Sequence, residues 1–388
     1  MVKTGLEVLL QERPDLLKGK RVGVIANPSS VNAQLDHVVD LLHRHPEVHL
    51  TTIMGPQHGA RGETQDNMIE WEDYRDPVTG LPVYSLYGKT RKPTAEMLKN
   101  VDVLIFDIQD VGARYYTFVY TMALAMEACG EQGRQFIVLD RPNPIGGVEV
   151  EGPVLDPAFR SFVGLFPLAI RHGLTVGELA RYFCGECGVK CRLEVVPMKG
   201  WRRDMFFDDT ELPWIMPSPN IPTLDSALVY PGLCLLEGTN VSEGRGTTRP
   251  FEMSGAPWIS PEHLAKKLNG MSLPGVRFRP IHYIPTFHKW SGTMVGGVQV
   301  HVLDRHSFRP FATGLALLMA YRDAGPDKFR WKEPPYEYEY DKLPIDILLG
   351  NGGIRQAIER GESLEPIEAG WQEELQAFKE KRNGYLLY

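Results

Sequence analysis

At 388 residues the chain is too long for one ordinary core, and two domains of roughly 150–200 residues each are expected. Hydrophobic residues make up 43% and charged residues 23%, the mixture of a globular protein. A net charge of −7 removes any electrostatic reason to expect nucleic acid or an anionic membrane as partner, and no apolar run approaches the ~20 residues of a membrane span.

The opening "MVKTGLEVLL" lacks the succession of basic, apolar and small residues that marks an export signal, so the chain reads as cytoplasmic. A chain whose export signal had been removed would read the same and be periplasmic or secreted. "RVGVIANPSS" predicts a buried strand over Val22–Ala26, stopped by Asn27-Pro28, and "LDHVVDLLHRH" has helical spacing. "VHLTTIMGP" is a second strand that stops at Gly55-Pro56. "PVYSLYG" is a third, and "TAEMLKN" reads as a short helix capped by Thr94. "VDVLIFDIQD" is the strongest strand signal, a continuous apolar run of the kind buried on both faces. A long helix over "YTFVYTMALAMEACGEQG" and a strand over "QFIVLDRPNP" follow. "TVGELARYF" opens with Thr175 and Glu178 at capping-box spacing, and "RLEVVPM" closes the series. This alternation predicts an α/β class: a Rossmann-like, mainly parallel sheet with helices on both faces, over residues 1–227.

Such sheets bind ligands beyond the carboxyl ends of their strands. Polar residues fall at four predicted ends: Asn27 after the first strand, Gln57 and His58 after the second, then Asp107, Gln109 and Asp110, then Asp140, Arg141 and Asn143. The second of these ends opens the loop "GPQHGARGETQDN", which also carries Arg61, Glu63 and Asp66. "DIQDVGARYYTF" adds Arg114 and Tyr115, with ion pairing between Asp110 and Arg114 as the structural alternative. The turn "NPSSVN" lacks G-x-G-x-x-G, and "GKT" at Gly88 lacks the preceding glycine of a P-loop, so nucleotide readings fail. Cys184, Cys187 and Cys191 crowd into "FCGECGVKC" without a nearby Cys/His pair to complete a metal site. A helix-to-strand turn with free thiols is the better reading there, and no metal is assigned.

Beyond residue 200 the texture changes. "DDTELPWIMPSPNIPTLDSALVYPG" reads as an ordered, proline-rich connection over the surface. A smaller α+β domain follows over 228–388, with strand-like "GGVQVHVLD" and helical "FATGLALLMAYRDAG", "IRQAIERGE" and "WQEELQAFKEKRN". Its loop "EGTNVSEGRGTTRPFE" places Glu237, Asn240, Glu243, Arg245 and Arg249 among glycines that let backbone approach a ligand; the alternative is a loop of solvated charges. Asn220 and His288 are further candidates. G-x-S-x-G and H-E-x-x-H are both absent. Candidate acids are plentiful, but the ~5–9.5 Å separation of a glycosidase carboxyl pair is not legible in sequence.

These same stretches carry a resemblance. "GPQHGARG", "VDVLIFDIQDVGARYYTF", "VLDRPNPIGG", "VEGPVLDPAFRSFVGLFPL", "PSPNIPTLDSALVYPG" and "LEGTNVSEGRGTTRPFE" resemble, in order and over nearly the whole chain, the NamZ-type exo-β-N-acetylmuramidases. The resemblance implies a Rossmann-like domain, a smaller C-terminal domain closing a cleft, and release of N-acetylmuramic acid from the non-reducing end of peptidoglycan fragments without a cofactor. It also implies an amino sugar or muropeptide as partner, with Arg61, Arg114, Arg245 or Arg249 gripping the lactyl carboxylate. The family loop usually reads Gly-Pro-Glu-His-Gly, its glutamate being the proposed catalytic residue, whereas Gln57 stands here. An amide neither delivers nor removes a proton as a carboxyl does. Three readings follow: a hydrolase in which Glu63, Asp66, Asp107 or Glu243 has taken over the acid role; a non-catalytic amino-sugar-binding protein; or a transferase in which Gln57 orients the substrate.

Overall fold

The computed structural model describes residues 1–62, 64 and 68–388; Glu63 and Asp66 lie outside the described residues. The strands run in chain order as β1 (Arg21–Ala26), β2 (His49–Gly55), β3 (Tyr74–Arg75), β4 (Pro82–Ser85), β5 (Val103–Asp107), β6 (Gln135–Leu139), β7 (Glu151–Val154), β8 (Ala169–Arg171), β9 (Arg192–Val196), β10 (Met253–Ala256), β11 (Val276–Tyr283) and β12 (Val295–Val302). Seven of them form one sheet in the order β3-β4-β2-β1-β5-β6-β9, parallel except for the β3–β4 edge pair. The strand order reverses between β1 and β5, the arrangement that opens a crevice beyond the strand ends.

Burial explains the central strands. Every residue of β5 is buried, and Val103, Leu104, Ile105 and Phe106 each gain about 1.5–3 kcal/mol over exposure. Register aligns the working ends: Ile25 pairs with Met54 on one side and Phe106 on the other, and Ala26 pairs with Asp107. The helices Phe118–Glu131 and Val176–Gly185 lie against the sheet. The second of these starts with the expected capping box, the Thr175 side chain accepting from Glu178 N while Glu178 accepts from Thr175 N.

The smaller part is a three-stranded antiparallel sheet, β10-β12-β11, covered by the helix Pro261–Gly270, against which the helix Pro310–Ala324 packs. Two expectations need correcting. Residues 94–100 form a run of turns rather than a helix; the Thr94 hydroxyl accepts from Met97 N, but the segment is too short to propagate. The proline-rich connection also contains a buried helix, Leu224–Leu233, whose N-cap is Thr223 and whose Pro231 lies near its end. Its all-round burial removed the periodicity by which a helix is read. Among the described residues no helix is long and apolar enough to cross a membrane.

Candidate active site

A narrow cavity of about 40 Å³ lies beyond the β2 end and is walled by both parts of the chain. Gln57 and His58 come from the loop after β2, Tyr115 and Thr117 from the loop after β5, Ser218 and Asn220 from the connection, and Glu237, Arg245, Tyr336 and Glu337 from the C-terminal part. Tyr230 also lines it, packed edge-on against Tyr116 at 5.7 Å and Phe251 at 4.9 Å between ring centroids. A larger groove, about 670 Å³, lies between Val154–Pro157 and the C-terminal helices; none of these groups lines it.

Gln57 is buried at the centre of the polar wiring. Its Oε1 accepts from the Thr117 hydroxyl at 3.1 Å, and its Nε2 donates to Glu337 Oε1 at 3.3 Å. Thr117 stands at the N-cap of its helix but makes no side-chain cap there. The Tyr87 hydroxyl donates to the other Glu337 oxygen at 2.8 Å. Burial pushes the Glu337 carboxyl up to about 7; the Tyr87 hydrogen bond opposes this, Glu237 adds to it, and Gln57 and Arg245 oppose it. A carboxyl near neutrality can hold a proton and give it up at physiological pH.

Glu237 differs in its surroundings. Arg245 donates to its Oε1 at 2.7 Å and the Tyr336 hydroxyl to its Oε2 at 2.6 Å. Behind Arg245, the buried Glu243 accepts from Lys289 Nζ at 2.8 Å, with His288 Nδ1 at 3.1 Å and Arg245 Nε at 3.4 Å. Burial would raise the Glu243 carboxyl, but Lys289, His288 and Arg245 prevail and hold it well below the usual range. Held as an anion, Glu243 has no proton to give; it anchors Arg245.

Several other predicted site residues serve the walls instead. Asp107 is locked bidentately by Arg141 at 2.6 and 2.9 Å, both side chains buried, so neither lines the cavity. Asn27 accepts from Ser29 and donates to Pro217 O at 2.8 Å, tying β1 to the connection. Gln109 donates to Asp110 O and Pro142 O, Asp110 accepts from Gly112 N, and Asn143 donates to Leu174 O. Asp140 accepts from Thr175 Oγ1, Gly177 N and the Tyr388 hydroxyl. Arg114 is fully buried, donates to Pro153 O, Leu168 O and Leu348 O, and does not line the cavity. Arg61 pairs with Asp40 and Asp76. Asn240 clamps Lys328 and Arg330, and Arg249 reaches Glu252 at 3.1 Å. Of the four arginines considered for the lactyl group, only Arg245 lines the cavity.

Glu337, Tyr87 and Tyr336 were not among the expected residues. "EPPYEYEYDK" carries no period and follows no predicted strand; its return to the cavity is a tertiary event. The one local signal was a carboxylate flanked by tyrosines after Pro-Pro. Among the described residues no group of three or more His, Cys, Asp or Glu side chains could hold a metal ion. The Cys184 and Cys191 sulfurs lie 3.9 Å apart as free thiols at a helix end.

The comparisons with known proteins fall on this geometry. Residues 22–225 match the family described as exo-β-N-acetylmuramidase NamZ, N-terminal, and residues 228–388 match its C-terminal counterpart. The chain is 51% identical over 387 residues to the peptidoglycan β-N-acetylmuramidase NamZ of Bacillus subtilis (strain 168), covering 100% of this chain and 91% of that protein. Two crystal structures of DUF1343 family proteins from Bacteroides fragilis NCTC 9343 are similar throughout. One has a TM-score of 0.90 at 41% identity and the other 0.78 at 31%, each covering 100% of this chain and 99% of the other. The chain belongs to the NamZ exo-β-N-acetylmuramidase family.

Proposed function

We propose that this protein is a glycoside hydrolase that releases terminal N-acetylmuramic acid from peptidoglycan fragments. Two buried carboxyls in different settings, Glu337 and Glu237, carry this reading together with family membership. Hydrolysis of a glycosidic bond uses one carboxyl that holds a proton and one that is ionised, and unequal environments supply that difference. Arg245 grips the lactyl carboxylate and Asn220 reads the acetamido group, with Tyr230 under the sugar ring. Sites that hold a whole ligand run to ~300–1,000 Å³, so at about 40 Å³ this cavity admits a sugar only when a wall moves outward. The binding-protein and transferase readings are not favoured at 51% identity to a named hydrolase.

The test is turnover of two chromogenic glycosides that differ only in the lactyl ether, the β-N-acetylmuramide and the β-N-acetylglucosaminide. Release of chromophore from the first, with little from the second, is expected. Saturable binding of the muramide without release would overturn the hydrolase reading, and equal release from both would remove the role given to Arg245.

A further inference from the structure

Resting on that reading, we propose that Glu337 is the proton donor to the leaving group, with Gln57 and Tyr87 as the groups that aim it. The geometry is built for one orientation. Glu337 and Tyr338 both have left-handed backbone, φ 45° and 66°, which is unfavourable for non-glycine residues and persists only when surroundings impose it. The surroundings are specific. The Tyr336 hydroxyl is held by Glu237, the Tyr338 hydroxyl donates to Glu70 at 3.0 Å, and the Arg91 guanidinium lies 3.7 Å from the centre of the Tyr338 ring. Tyr338 also meets Tyr87 edge-on at 5.6 Å. Between these pins the Glu337 side chain turns inward, only 4% exposed, and both oxygens meet donors just past the ends of β2 and β4.

Placement favours Glu337 over Asp107, Glu243 and Glu237. Asp107 is bound by Arg141, Glu243 by Lys289, and Glu237 by Arg245, so each faces a cation directly. Glu337 faces neutral donors, Tyr87 and Gln57; among the described residues the further charged and titratable groups around it include Glu237, Arg245, Tyr336 and Lys332. Burial without a direct cation keeps a carboxyl protonated, as a donor requires. Gln57 acquires a part that needs no acid chemistry: fixed by Thr117, it holds the carboxyl in line.

The step balances within the hydrolysis. The Glu337 proton passes to the glycosidic oxygen as the bond from that oxygen to the anomeric carbon breaks, its electron pair staying with oxygen. Water forms the new bond to the anomeric carbon and gives a proton to the Glu237 carboxylate. Exchange with solvent then returns both carboxyls to their starting states.

The experiment compares wild type and Glu337→Gln on two β-N-acetylmuramides, one with a dinitrophenol leaving group that departs unaided and one with an alkyl-like group that needs a proton. Glu337→Gln should lose ~10²–10⁴-fold in kcat/KM on the poor leaving group and far less on the good one, and the basic limb of its pH profile should vanish. Wild-type-like turnover on both substrates would overturn the proposal, as would equal losses on both with the limb retained. Where circular dichroism shows Glu337→Gln to be unfolded, Tyr87→Phe replaces it. Loss of the hydroxyl that stabilises the carboxylate should move the basic limb to higher pH, and an unmoved limb would overturn the assignment. Absence of wild-type turnover on either muramide is a separate result, which rejects the hydrolase reading itself.

Discussion

Glu337, Gln57, Thr117 and Tyr87 form one hydrogen-bonded chain, and each member limits where the next can point. Thr117→Val keeps the shape of the side chain but removes the hydroxyl that fixes the Gln57 amide. Steady-state kinetics should show kcat/KM lowered by about 10- to 100-fold, because a displaced aiming group misplaces the carboxyl by a fraction of an ångström. Arg245→Met leaves Glu237 buried without its cationic partner and should cost about 3–5 kcal/mol by urea unfolding, with KM for the muramide raised. At this scale Gln57, His58, Glu237 and Arg245 were legible as lining of the candidate cavity, because polar residues at a strand end and in a glycine-rich loop stand where a crevice opens. Glu337 was not, because nothing local distinguishes an inward carboxyl from a solvated one. Several strand-end groups, Asp107 and Arg141 above all, had the chemistry of a site but spend it on each other.

Among the elements, the parallel strands and the capped helix were the most legible, since continuous apolar runs and a Thr-x-x-Glu spacing each have one economical structure. The buried helix Leu224–Leu233 escaped because burial on every side erases amphipathic period. The cap of Val176–Gly185 also ties the helix to the sheet, since the Thr175 hydroxyl donates to Asp140 at 2.8 Å. Thr175→Ala should therefore cost near the upper end of the usual cap range, about 2 kcal/mol, measured as a fall in the urea midpoint at unchanged slope. The Arg141 pair joins the β5 end to the turn after β6, and Asp107→Asn should cost about 3–5 kcal/mol, leaving a buried guanidinium without its charge partner.

At the scale of the whole molecule, the last residues return to the large sheet. The Tyr388 hydroxyl reaches Asp140, Leu387 N donates to Glu178, and Arg181 donates to the carbonyls of Tyr385 and Leu386. Arg114 similarly ties the large sheet to the helix Pro344–Leu349 through Leu348 O. Tyr388→Phe should lower stability by about 0.5–1.5 kcal/mol, the net worth of an ordinary buried hydrogen bond, without changing turnover. The α/β class was legible from alternation alone and the closing of one part of the chain over the other followed from the resemblance, whereas the meeting of Glu337 with Gln57 was not legible. The most direct measurement is a pH profile of kcat/KM on a chromogenic β-N-acetylmuramide for wild type and Gln57→Glu. Wild type should turn over with glutamine in place, and Gln57→Glu should show its basic limb at higher pH, because a second carboxyl against Glu337 disfavours ionisation. Turnover that appears only in Gln57→Glu, with wild type binding but never cleaving, would contradict the assignment of the acid to Glu337.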